Sequence, residues 1–173
     1  MAGQLDGRRT ATGPDDRERT DYSGAVYGSL LAASVVVGAS PRHDPAPATT
    51  VIALLLATGL VFWLAHVYAG LAGDRRDGRR LDRPGIRSAG RREWPLAQAA
   101  VPPAAAAACC GLIGLSNATA SWAALLVALG GQVGWAVVAD ARSHATGRLI
   151  VMSAVVNLLL GMLIVAIKAT LTH

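Results

Sequence analysis

The chain has 173 residues, 53% hydrophobic and 16% charged, with positive mean hydropathy and a formal net charge of +5. Ordinary soluble domains carry about 25% charged residues, so a soluble globular fold is excluded. Five long apolar segments take up most of the chain and leave no room for a separate soluble domain.

Residues 1–20 are polar, contain glycine and lack periodicity, which predicts a disordered cytoplasmic tail ahead of a membrane domain over 21–173. The first predicted span covers about Tyr22–Ala39 and ends at Ser40-Pro41, because proline disfavours helix in itself and its predecessor. Val37-Gly38-Ala39 has the outline of a signal-cleavage site. The long, mixed-charge stretch before it, with Asp15, Asp16, Glu18 and Asp21, argues for an uncleaved span. A proline-rich turn leads to the second span, about Thr49–Gly70, with Gly70–Gly73 suited to a helix end.

Residues 73–93 form a predicted basic loop, eight Arg against four acids, with Gly78, Pro84, Gly85 and Gly90 set against a continuous helix. No aromatic residue is interleaved for base stacking, so no nucleic-acid partner is expected. The expected partner of this loop is anionic lipid, at about 1 kcal/mol per basic residue near the surface. The third span, about Pro95–Leu115, is weakly hydrophobic and should kink at Pro102-Pro103. A re-entrant segment is the alternative reading there. Ser116-Asn117 is a short turn into the fourth span, about Thr119–Ala139, and the fifth covers about Leu149–Ala169. Each span suits a hydrocarbon core of roughly 30 Å at 1.5 Å per residue. None of the eleven acidic residues lies inside one.

Fourteen of the sixteen basic residues fall in the tail, the 73–93 loop and the 140–148 loop, leaving Arg42 and Lys168 opposite. The positive-inside rule then predicts an all-α, five-span bundle with its N-terminus cytoplasmic and its C-terminus external. The expected location is the plasma membrane, multi-pass.

Polar residues inside spans are the default functional candidates. His66, Gln132, Asn157, Tyr27, Ser29 and Gln98 all fall in the predicted cytoplasmic half. Glycines recur near them at helical spacing: Gly24 and Gly28, Gly59 and Gly70, Gly130 and Gly134, and Gly161. Such faces let helices approach closely, and they leave room for a homo-oligomer. Two readings of the polar set stand side by side: interhelical hydrogen bonds at about 0.6 kcal/mol each, or a pocket open to the cytoplasm. Contact between His66 and the Gln132–Asn157 pair is expected on either.

Enzyme signatures are missing. Gly114-Leu115-Ser116-Asn117-Ala118 has the Gly-x-Ser outline but ends in Ala and sits in a turn. His66 has no second ligand or orienting carboxylate at suitable spacing. Cys109 and Cys110 are adjacent and read as small packing residues. The expectation is a non-enzymatic membrane protein with no catalytic residue, cofactor or metal. The runner-up is a small ion or solute channel or transporter using the polar cluster.

Four stretches carry a resemblance: Asp21-Tyr22-Ser23-Gly24-Ala25-Val26-Tyr27-Gly28-Ser29, Val61-Phe62-Trp63-Leu64-Ala65-His66-Val67-Tyr68, Arg91-Arg92-Glu93-Trp94-Pro95, and Val156-Asn157-Leu158-Leu159-Leu160-Gly161. Together they resemble a family of small five-span integral membrane proteins of high-GC Gram-positive bacteria. The resemblance covers about residues 20–170 and implies a membrane location. Tyr22–Tyr27, with Trp63 and His66, more loosely resembles the bacterial and lysosomal potassium-channel family with a Phe-Ser-Asp motif. Gly24 stands where that family has its acidic residue, and five predicted spans replace six.

Overall fold

The computed structural model describes residues 14–39, 45–76, 82–142 and 146–172. Six helices account for nearly all of them: α1 Pro14–Gly38, α2 Ala48–Arg76, α3 Arg83–Gln98, α4 Val101–Leu112, α5 Asn117–Arg142 and α6 Gly147–Thr172. There is no strand among the described residues. The fold is an all-α helical bundle. Four stretches are long and apolar enough to cross a membrane: Ala48–Asp74, Arg83–Leu112, Asn117–Arg142 and Gly147–Ile167. They mark the chain as a membrane protein.

The described apolar part of the first expected span, Ser23–Gly38, reaches about 24 Å at 1.5 Å per residue, and the helix itself starts at Pro14. Residues 14–20 are therefore helical, against the expectation of a disordered tail. Residues 1–13 of that expected tail lie outside the described residues.

The basic loop is also shorter than expected, because helix claims both its ends. α2 runs on through Gly70 and Gly73 to Arg76, and α3 begins at Arg83. Asp82 caps α3: its Oδ1 accepts the Gly85 N–H at 2.9 Å, and Pro84 lies in the first turn, where a missing N–H costs nothing. Gly90 is tolerated because it brings the backbone within reach of α2, where Trp63 Nε1 donates to the Gly90 carbonyl at 3.0 Å. Trp94 meets Trp63 edge-on, with ring centroids 5.5 Å apart.

The third span is a broken helix. α3 and α4 together make one 30-residue apolar path, interrupted at Ala99-Ala100. Pro102 and Pro103 lack the N–H groups that would return to Gln98 and Ala99, and their rings crowd those carbonyls. The Ala100 N–H turns instead to Ala97 at 3.2 Å, a tighter turn. The break thus falls just before the prolines. Ala99 and Ala100 are buried, so neighbouring helices shield the exposed backbone from lipid.

Glycines grip this break from two sides. A Cβ on Gly28 of α1 would lie 2.6 Å from the Leu96 carbonyl oxygen and 2.9 Å from Ala99 Cβ. A Cβ on Gly59 of α2 would lie 3.0 Å from Ala100 Cβ. An added Cβ on Gly24 would lie 3.9 Å from Leu96, and one on Gly70 3.2 Å from Arg92 Nη2. These four expected packing glycines do face neighbours.

α1 is central, packed on α5, α3 and α2 and touching α6. Its face Ala25, Ser29, Ala32, Ala33 and Val36 is buried, at the spacing of one helical stripe. The main apolar core joins Ala32, Ala33 and Val36 to Val51 and Leu55 of α2, Ala104 and Ala107 of α4, and Ala124, Leu125 and Ala128 of α5. α5 follows α4 through a short turn. Gly114 takes φ +75° there, and Ser116 Oγ accepts the Thr119 N–H at 3.2 Å, capping α5. α6 packs chiefly on α5. Only 6% of its apolar stretch is buried inside the bundle, so lipid covers most of it.

Candidate functional site

A cleft of about 490 Å³ opens between α1, α5 and α6. Its polar lining comes from Ser23 and Tyr27 of α1, Gln132 and Asp140 of α5, and Ser153 and Asn157 of α6. Each pair is four or eight residues apart, which sets it on one face of its helix. The groups lie toward the N-terminal ends of α1 and α6 and the C-terminal end of α5. These three ends share one side of the bundle. Toward the other side, the packed layer of Ala32, Ala33, Val36, Ala124, Leu125 and Ala128 closes the space. The cleft is shallow and open over much of its surface.

The deep end holds a hydrogen-bond chain whose direction is fixed. Asn157 Nδ2 donates to the Ser153 carbonyl one turn back, at 3.0 Å. Its Oδ1 then faces α5 and accepts from Gln132 Nε2 at 3.2 Å. A longer contact, 3.5 Å, runs from the same nitrogen to the Asn157 carbonyl. Gln132 is 1% exposed. Its Oε1 is buried without a partner. An unsatisfied buried acceptor costs about 1–3 kcal/mol, more where no water competes.

Gln132 and Asn157 meet, as their shared depth suggested. Tyr27 joins their cleft. His66 does not. Its Nδ1 lies 2.9 Å from the Phe62 carbonyl of its own helix; a carbonyl only accepts, so Nδ1 carries the proton. The His66 ring lies against Tyr27, with centroids 5.9 Å apart and planes tilted 51°. The expected contact of His66 with Gln132 or Asn157 is thus corrected. Depth placed it well, but its helix face turns to α1 and α3, and Tyr27 stands between it and the cleft. Ser29 is likewise outside the cleft: it is buried, donates to the Ala25 carbonyl at 2.9 Å and packs where a Gly131 Cβ would come within 3.3 Å. Gln98 is exposed at the end of α3, away from the group.

Two expected packing glycines are corrected as well. A Cβ on Gly130 or Gly134 would meet nothing within 4 Å. The reason is angular: residues two apart on a helix point about 200° apart, so Gly130 and Gly134 cannot share the buried face of Gln132. Gly131 is the α5 glycine in contact. Gly161 holds its expected place, with Leu129 Cδ2 3.2 Å from the position of an added Cβ.

Sequence reasoning missed Asp140 as a site residue, because it lies at the edge of an apolar span. Its position eight residues after Gln132, on the same face, was the available signal. Ser23 was missed for the same reason. Among the described residues, no three His, Cys, Asp or Glu side chains converge as a metal site. Cys109 and Cys110 are unbridged.

Comparison with family models, with curated proteins and with solved structures yields no match.

Proposed function

We propose that this chain is a non-enzymatic, multi-pass plasma-membrane protein that takes a small polar solute into the α1–α5–α6 cleft from the cytoplasmic side. In this reading it is a permeation protein caught open toward one face. The observation that supports it is the Gln132–Asn157 pair, a buried polar group with an unanswered acceptor at the closed end of a cleft. Pure helix–helix adhesion would need neither the cleft nor the orphan oxygen.

Orientation follows from charge. The cleft mouth lies at the ends of α1, α5 and α6 that adjoin the basic tail and the 140–148 loop, and the positive-inside rule assigns that side to the cytoplasm. On the same side, Arg83, Arg87 and Arg91 recur every fourth residue along α3 and line a shallow groove with Ile86 and Ser88. Such a stripe suits anionic headgroups of the inner leaflet.

The movable element is α6, since it shares the least buried surface with the rest. Crossing requires α6 to part from α5 beyond Asn157, where Gly161 meets Leu129. Proteoliposome flux over a panel of small polar solutes tests the reading. Saturable flux that disappears in Asn157→Leu and Gln132→Leu variants that still fold supports it. Absence of flux for every solute, from wild-type protein verified as folded, overturns it.

A further inference from the structure

We infer that the solute of the cleft is uncharged and carries both hydrogen-bond donors and acceptors, as urea and small polyols do. This rests on reading the cleft as a solute site, and it adds the charge and hydrogen-bond polarity of the ligand.

The polarity follows from the amide chain. The Ser153 carbonyl can only accept, so Asn157 presents its NH2 there, at 3.0 Å. Asn157 then offers Oδ1 to Gln132, which answers with its own NH2, at 3.2 Å. Flipping either amide would set donor against donor or acceptor against acceptor, so both orientations are fixed. The group left over is Gln132 Oε1, an acceptor without a partner on a side chain 1% exposed. A ligand that satisfies it brings a donor. Tyr27 and Ser153 add two hydroxyls to the lining, and each can donate as well as accept. A ligand that uses all three groups offers donors and acceptors together. The hydroxyls meet it first. The Gln132 oxygen is covered while α5 and α6 are together, and their parting, which permeation requires, uncovers it.

The absence of charge follows from the way onward. Beyond the Gln132–Asn157 pair, α5 and α6 meet through Leu129 against Gly161, and Ile164 and Val165 pack on the apolar core. All four residues are described, and all four are apolar. A formal charge drawn along this seam would lose its water and find no counter-charge, which hydrocarbon penalises heavily. An uncharged solute sheds only a few hydrogen bonds, and the two amides replace some of them. Asp140 stands about 12 Å along α5 on the mouth side of the pair, away from this seam.

The test uses the full-length chain in liposomes with equal solute inside and outside, and follows the exchange of labelled urea and labelled guanidinium. Equal concentrations keep the charged probe from building a membrane potential. The two probes are nearly the same size and shape and differ in charge. The expected result is saturable urea exchange above that of protein-free vesicles, competed by glycerol, with guanidinium at least about tenfold slower. Tyr27→Phe and Ser153→Ala each remove one hydroxyl. Below saturation each should slow urea exchange about two- to tenfold, the loss of one neutral hydrogen bond. Their melting temperatures should stay at the wild-type value, because among the described residues neither hydroxyl joins one helix to another, and Phe keeps the ring against His66. Slower exchange with a lowered melting temperature in both would mean a structural role and overturn the contact with solute, as would unchanged exchange in both. Guanidinium crossing as fast as urea, with the same dependence on Tyr27 and Ser153, would overturn the uncharged assignment and leave the solute cleft standing. Failure of urea and glycerol to cross, from protein verified as folded, would overturn the inference. The solute cleft falls with it only if every other solute also fails to cross.

Discussion

Replacing Gly28 by Ala adds one carbon where the bundle has no space for it. The new Cβ would sit 2.6 Å from the Leu96 carbonyl oxygen, a backbone atom, and 2.9 Å from Ala99 Cβ. Neither neighbour is the end of a flexible side chain, so α1 and the α3–α4 break must move apart. Overpacking of this kind costs about 1–3 kcal/mol, against about 1 kcal/mol gained when Ala replaces Gly in a helix. Gly134 gives the internal control. Its Cβ would meet nothing within 4 Å, so Gly134→Ala should keep that gain. The two variants differ only in the clash, and their stabilities should differ by about 1–3 kcal/mol. At about 2–4 °C per kcal/mol for a chain of this size, Gly28→Ala should melt roughly 2–12 °C below Gly134→Ala. Tryptophan fluorescence during heating in one detergent measures the gap. Equal melting temperatures, or Gly28→Ala the higher, would refute the reasoning that the break is clamped by glycine.

Reporter fusions at Arg8, Pro45, Arg83, Asn117, His144 and His173 should read in, out, in, out, in, out; a cytoplasmic signal at His173 removes the five-span orientation. Gln132→Leu and Asn157→Leu should be non-additive, with a double-mutant coupling of about 0.6 kcal/mol and at most about 1.7; strict additivity would mean the 3.2 Å bond carries no energy. Trp63→Phe loses the donor to the Gly90 carbonyl and should destabilise by about 0.5–1.5 kcal/mol, and Gly90→Ala, where the added Cβ lies 3.5 Å from the indole, should cost less. His66→Phe keeps the ring against Tyr27 and loses only a bond within α2, so its unfolding transition should move by less than about 1 kcal/mol; a large loss would show that His66 has a polar partner on another helix.

Much of this arrangement was legible in the sequence, because hydrocarbon leaves few choices. A run of apolar residues must become helix, since lipid offers its backbone no partner. Depth along each helix was legible too, and it placed Gln132 beside Asn157. What depth does not give is rotation about the helix axis. His66 lies in the same half as Gln132 yet faces Tyr27 and its own helix. Gly130 and Gly134 were grouped by a spacing of four, whereas the buried position of Gln132 requires Gly131 to be the glycine turned inward. Helix formation over 83–93 was hidden for another reason. Pro84, Gly85 and Gly90 are breakers when weighed singly. In place, Pro84 sits in a first turn, Gly85 is capped by Asp82, and the Gly90 carbonyl receives Trp63 from α2, a partner 27 positions away.

The unequal packing of the six helices bears on which of them can move. α1, α3, α4 and α5 lock through alanine faces and through glycine at the break, where a displacement of even a few tenths of an ångström meets backbone. α6 has no such seat. It is held by two contacts from one amide, by Leu129 against Gly161, by Ile164 and Val165 against the core, and elsewhere by lipid. Small-residue faces resist sliding because their atoms are already at contact distance. A helix seated on one amide and on flexible aliphatic side chains separates more readily than one seated on glycine and alanine. Interhelical hydrogen bonds in membranes average only about 0.6 kcal/mol, comparable to thermal energy, so the α5–α6 seam can open while the rest of the bundle stays fixed. The most weakly held helix thus borders the one cleft wall that carries an unanswered polar group.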